Sequence, residues 1–203
     1  MRRKIYLFLF ALAGILFMSG LSACRRRVAD ANENPDARTA SAEIQSCKEF
    51  VQSFYNWYFD QLNAEDTHKI ATSAEDKVLS QRPEILTPEL RQFLQEDTEA
   101  SRKNPDYIVG LDFDPFINAQ DWNRKYTLNG VDVRDGACHA SLWGEDAGKQ
   151  KAIVVPELKK AGDKWIFVNF HYPGSTAPEN ENLIAVLRML REERAHPKHS
   201  SKH

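Results

Sequence analysis

The sequence predicts an α+β domain in which helices come first and antiparallel hairpins follow. Three observations carry this prediction. Between Ile44 and Leu62 apolar residues recur at spacings of three and four, the period of a helix with one buried face. After Phe116 the period falls to two, and Asp135-Gly136 stands between two such runs as a hairpin turn. A last helical period, Leu183, Ile184, Leu187 and Leu190, closes the chain of elements. Helices followed by hairpins, rather than strands alternating with helices, exclude a parallel α/β sheet.

The first helix is predicted over about 41–63. Ile44, Cys47, Val51, Phe54, Tyr58 and Leu62 form its stripe, Phe50, Trp57 and Phe59 widen it, and Ser41 can cap its start. A weaker helix covers about 75–81. Thr87-Pro88-Glu89 is a start signal: a capping hydroxyl, a proline in the first turn, and an acid at the positive end of the helix dipole. The helix it opens, 88–102, buries Leu90, Phe93 and Leu94 and stops at Asn104-Pro105. Asp112 to Phe116 is a loop or bent connection. Tyr126, Leu128, Val131 and Val133 then alternate with polar residues, and Ala137–Trp143 returns as the second strand. Residues 145–149 turn into the third strand, Ala152–Leu158, and Ala161-Gly162-Asp163 turns into the fourth, Lys164–His171. Such strands need one face covered, and the aromatic side of the first helix can cover it. A loop over 172–178 leads to the final helix, about 179–194.

The N-terminus reads as an export address. Arg2, Arg3 and Lys4 precede an apolar run from Ile5 to Met18, too short for a comfortable membrane span. Leu21-Ser22-Ala23-Cys24 resembles the bacterial lipobox, which implies lipidation of Cys24 after cleavage before it. The other readings are an uncleaved anchor and an ordinary signal peptide; charge, apolar run and lipobox together favour the lipoprotein. Each buried methylene contributes about 0.8 kcal/mol, so several acyl chains hold durably where one does not. In enteric bacteria an aspartate after the cysteine resembles an inner-membrane retention signal. Arg25 stands there instead, which implies the outer membrane with the body facing the periplasm. The chain is thus divided into a signal peptide (1–23), a lipidated flexible tether (24–40), an α+β domain (41–194) and a disordered tail (195–203).

Composition excludes several classes. Of 203 residues 42% are apolar and 10% aromatic, enough for a packed core and too many for wholesale disorder. With 27 basic and 29 acidic residues the net charge is -2, which excludes a strongly basic nucleic-acid binder. Three cysteines exclude a cysteine-dense mini-scaffold. The charge is uneven: residues 39–190 carry a net -8, behind a tether that begins Arg25-Arg26-Arg27. Those arginines can rest on anionic headgroups, or merely flank a processing site.

Phe50-Val51-Gln52-Ser53-Phe54-Tyr55-Asn56-Trp57-Tyr58 resembles the opening helix of the bacterial family called domain of unknown function 3828. Asp114-Pro115-Phe116 followed by Ala119-Gln120-Asp121 resembles its central motif, and Lys164-Trp165-Ile166-Phe167-Val168 its late strand. The resemblance spans about residues 43–172. It implies a cone similar to nuclear transport factor 2, helices packed into a curved antiparallel sheet, here with an extra C-terminal helix. The family is typically exported or lipid-anchored, and its activity is unknown. Asn118 stands where a family cysteine is expected, so no family disulfide carries over through that position.

Few constellations carry chemistry. Asp112, Asp114 and Asp121 are the densest acidic cluster. They read either as a cation site or, better, as acids capping local turns, since the glycine and closing glutamate of a calcium loop are missing. A cone can hold a pocket between helix and sheet. Its candidate lining is Tyr55, Tyr58, Asp121, His139, Trp143 and Trp165, although aromatic residues on an inner face are usually core. Cys138 and His139 are neighbours on a strand, so they point to opposite faces and form no thiolate–imidazolium pair. With Cys24 consumed by lipid, Cys47 and Cys138 remain in an oxidising compartment, either bridged or as two buried thiols. His196, His199 and His203 could bind metal, but a short His/Lys tail usually has no site geometry, and that reading is preferred. No nucleophile elbow, phosphate-cradling glycine loop or zinc spacing appears, so no enzyme activity, metal or cofactor is expected. The expected role is binding: an accessory or stabilising partner of an envelope protein complex, with a periplasmic small-ligand binder or an immunity-type inhibitor of an envelope toxin as alternatives.

Overall fold

Why the first helix folds across a sheet is visible in its stripe. In the computed structural model, which describes residues 35–68, 72–120, 126–146 and 149–196, helix α1 (Pro35–His68) buries Cys47, Val51, Phe54, Tyr55, Tyr58 and Leu62. These are the three-and-four positions of one face. Phe54 is the hub of the aromatic core: its ring lies 4.8 Å from that of Phe167, 5.5 Å from Tyr58 and 5.7 Å from Phe116. Offset and edge-to-face pairs of this kind add to burial. Trp57, at the rim of the stripe, is covered by the Arg82 guanidinium at 4.2 Å.

The strands β1 (Thr127–Arg134), β2 (Ala137–Asp146), β3 (Lys149–Ala161) and β4 (Lys164–His171) form one antiparallel meander in the order β1-β2-β3-β4. Asp135 and Gly136 both have positive φ, 53° and 72°, the type I′ geometry that suits a two-residue hairpin. Register shifts at Leu128/Val131, Leu142/Trp143 and Glu157/Leu158 bend the strands, and the sheet curves around α1. A disulfide joins Cys47 of α1 to Cys138 of β2, with Cα atoms 6.6 Å apart.

The remaining helices close one side. Helix α2 (Ala74–Gln81) is capped by Ser73, α3 (Pro88–Lys103) by Thr87 and α4 (Leu183–Ala195) by Asn182. The α3–α4 contact is held by a buried carboxylate. Asp97, 3% exposed, accepts from Arg194 Nη1 at 2.6 Å and from the Leu111 backbone N–H at 2.8 Å, and Arg194 also donates to the Val109 carbonyl. Gly110 is required beside it, because a Cβ there would lie 2.6 Å from Asp97 Oδ2.

The α+β class, the four helices and the four-stranded antiparallel sheet agree with the sequence; several boundaries do not. α1 is already helical at Pro35, so residues 35–40 of the expected tether belong to the helix, which also continues past 63 to His68. A solvated helical turn has the same polar composition as a coil, and residues 37–42 are exposed. α4 starts at Leu183 rather than 179, because Pro178–Asn180 forms a separate 3-10 turn. β2 and β3 run further toward each other than expected, to Asp146 and from Lys149. The signal peptide, Cys24, Asp121, His199 and His203 lie outside the described residues. No helix among the described residues is long and apolar enough to cross a membrane.

Candidate functional site

Of the six residues expected to line one pocket, Asp121 lies outside the described residues and the other five are not brought together around one cavity. Tyr55 and Tyr58 are fully buried core residues whose hydroxyls hold the 114–116 segment. Tyr55 Oη donates to the Phe116 carbonyl at 2.9 Å, and Tyr58 Oη to Asp114 Oδ2 at 2.6 Å. Tyr172, just after β4, completes the set by donating to the Pro115 carbonyl at 3.0 Å. Trp165 is 7% exposed and donates to Ser46 Oγ near the other end of α1, with Lys160 over its ring. Trp143 is half-buried on β2. His139 is on the sheet face opposite Cys138, where desolvation first, and Arg134 second, lower its pKa. The physical reason is that aromatic residues on an inner face fill the space between helix and sheet instead of lining a void.

A cavity lies at the C-terminal end of α1. Its volume is about 430 Å³, and its walls come from α1, the start of α2 and segment 111–120. Leu62, Leu111, Phe113 and Ile117 supply apolar surface, while Glu65, Glu75, Asp112 and Asp114 supply carboxyls. No lysine, arginine or histidine lines it among the described residues.

Each carboxyl is positioned by local structure. Glu65 Oε2 accepts the Ala74 backbone N–H at 2.9 Å, at the donor-rich start of α2. Asp114 Oδ1 accepts the Phe116 N–H at 2.9 Å, so this acid does cap its own turn. The turn closes through Asp114 N–H to Ala119 O at 2.8 Å, with Asn118 at φ 51°, a conformation asparagine tolerates. Asp112 is exposed and accepts from Gln120 at 3.3 Å. Glu75, in the first turn of α2, has no hydrogen-bond partner for its carboxyl among the described residues.

The electrostatics follow from that enclosure. Desolvation, then Asp114, Asp97 and Asp76, push the Glu75 carboxyl from 4.5 up to about 8. Desolvation also raises Asp114, to about 6, against the opposing hydrogen bonds from Tyr58, Phe116 and Ile117, while Glu65 adds to the rise. The hydroxyls of Tyr55, Tyr58 and Tyr172 are held neutral by burial and by the Asp114 charge. At neutral pH the enclosure therefore favours the protonated form of Glu75.

Of the expected acidic cluster, Asp112 and Asp114 reach the cavity. The acids that join them, Glu65 and Glu75, come from α1 and α2 and carry no signal in the sequence beyond an acid near a helix start. No family model matches the chain, and no curated protein matches it.

Proposed function

We propose that this protein is a lipid-anchored periplasmic binder of the bacterial outer membrane that takes up a small organic cation, an amine, in the acid-lined cavity. The observation that carries this reading is the Glu75 carboxyl, without a hydrogen-bond partner among the described residues and facing a void lined by three further acids, Glu65, Asp112 and Asp114. The α+β architecture and the long α1 across a curved sheet support a cone similar to nuclear transport factor 2. The export address, lipobox and Arg25 support the location.

An amine suits the cavity better than a hard metal ion. Calcium needs six to eight oxygens, whereas Glu65 and Asp114 already spend oxygens on backbone and tyrosine donors. One free carboxyl, a second acid within electrostatic reach and four apolar side chains match an ammonium on a carbon skeleton. Binding displaces the Glu75 proton. Affinity therefore rises as pH rises from about 6 to about 8, the range over which Asp114 and Glu75 lose their protons.

The test is calorimetric titration with 1,4-diaminobutane in two buffers of different ionisation enthalpy. One-to-one binding, with proton release at pH 7 and at least tenfold weakening in Glu75→Gln, is expected. No binding at millimolar amine, or equal affinity in Glu75→Gln, overturns the reading. A second reading, an accessory partner of an envelope complex, is favoured by Tyr107 and Ile108, which stand 77% and 81% exposed side by side in the loop after α3. Tyr107→Ser with Ile108→Ser would then abolish recovery of one stoichiometric envelope protein in a gentle detergent pull-down.

A further inference from the structure

The outer face of the sheet carries three metal-type ligands that the sequence keeps far apart. His139 of β2 and Glu157 of β3 are directly paired across the strands, and His171 of β4 lies beside Glu157. Strand alternation places them together. Cys138 and Ala140 flank His139, Pro156 and Leu158 flank Glu157, and Phe170 and Tyr172 flank His171, and all six flanking residues are buried. The three residues between them therefore project to the face that α1 does not cover.

We propose that His139, Glu157 and His171 form a binding site for a divalent transition-metal ion, best suited to zinc. One nitrogen from each histidine and one Glu157 oxygen lie within 4.8 Å of one another. His171 Nε2 and Glu157 Oε2 are already 2.9 Å apart, and the two imidazole rings are 6.2 Å apart between centroids. A second observation is independent of the clustering. His139 Nδ1 is buried from solvent and has no hydrogen-bond partner. An orphaned buried ring nitrogen costs free energy unless something meets it, and a metal ion is what an imidazole nitrogen beside a second imidazole and a carboxylate would meet.

The donor set selects the ion. Two nitrogens and one oxygen suit zinc, copper or nickel rather than calcium or magnesium. With metal–ligand bonds of about 2.0–2.2 Å, tetrahedral ligands sit about 3.3–3.5 Å from each other. The 4.8 Å limit on the present separations exceeds this by at most about 1.3–1.5 Å, a closure within reach of side-chain rotation. Three protein ligands leave a fourth position for water. Lys159 Nζ lies 4.0 Å from Glu157 Oε1. Asp132, paired with His139 across β1 and β2, keeps negative charge on the same face.

The test uses Zn²⁺ alone, in competition with a chromophoric chelator at pH 7.5. The host is the full chain with Cys24→Ser and with His196, His199 and His203 changed to Ser, so that neither thiol nor tail competes. One Zn²⁺ per chain is expected, with His139→Ala, His171→Ala and Glu157→Gln each weakening affinity at least tenfold. Co²⁺ should give the visible absorption of a tetrahedral N/O site in the host and lose it in His139→Ala. All three side chains project from the outer face, so unchanged far-ultraviolet circular dichroism is expected. If a histidine variant fails to fold, Glu157→Gln, which keeps the shape, decides the matter by the same titration and cobalt spectrum. Absence of binding tighter than about 100 μM, affinity unchanged in the foldable variants, or binding that disappears with the tail histidines overturns the site.

Discussion

Replacing Glu75 by glutamine tests the cavity without a ligand. In the folded chain its carboxyl is pushed from 4.5 to about 8, chiefly by desolvation. Between those values the native state keeps a proton that the unfolded chain has released. Stability from this group is therefore present below about pH 4.5 and is lost as pH rises toward 8. For a group sealed from water the shift corresponds to about 4–5 kcal/mol. Glu75 is half-buried and opens onto a cavity, so solvent screening reduces the effect, and about 2 kcal/mol is expected. Glutamine keeps the shape and cannot ionise. For a domain of this size about 2 kcal/mol moves the midpoint by about 4–8 °C. The assay is thermal unfolding by circular dichroism from pH 4.5 to 9. Glu75→Gln should match the wild type at the acid end and melt higher at pH 8. Parallel curves, or a wild type more stable than the variant at pH 8, would refute the placement of this carboxyl.

Asp97→Asn should destabilise by about 2–3 kcal/mol, read from the denaturant midpoint, because it strips the partner charge from Arg194. The cost falls below the 3–5 kcal/mol of a fully buried pair since Arg194 is 24% exposed. Changing Cys47 and Cys138 together to serine should cost about 4–5 kcal/mol, the loop-closure value for a sequence separation of 91. The denatured wild type, alkylated without reductant, should take no label at either position. Cys24→Ser should abolish acylation and release the chain from membranes; wild-type retention with no lipid mass would defeat the anchor.

The legible parts of this fold are those governed by short-range period. The stripe from Cys47 to Leu62, the Thr87-Pro88 start and the Asp135-Gly136 turn each depend on neighbours within a few residues. The start of α1 was not legible because residues 37–42 are exposed and so leave no apolar mark. The cavity was not legible for a different reason. Its acids come from positions 65, 75, 112 and 114, and only the packing of α1 against α2 and the 111–120 segment brings them together. The histidine–glutamate group depends on strand register, which alternation sets only to within two residues and which the bulge at Glu157/Leu158 alters further. That Cys138 and His139 face apart follows from strand alternation, but Glu157 and His171, the neighbours of His139, lie on the next two strands.

The position of the disulfide along α1 also governs how mechanical load would travel. A pull exerted on the chain ahead of Pro35 runs down the first turns of the helix and meets Cys47, where a covalent bond hands it to the second of the four strands. The part of α1 that carries Phe54, Tyr58, Leu62 and Glu65 lies beyond that junction. Tension applied at the N-terminal end of α1 would thus pass into the sheet at Cys47 before it reached the helix end that walls the cavity.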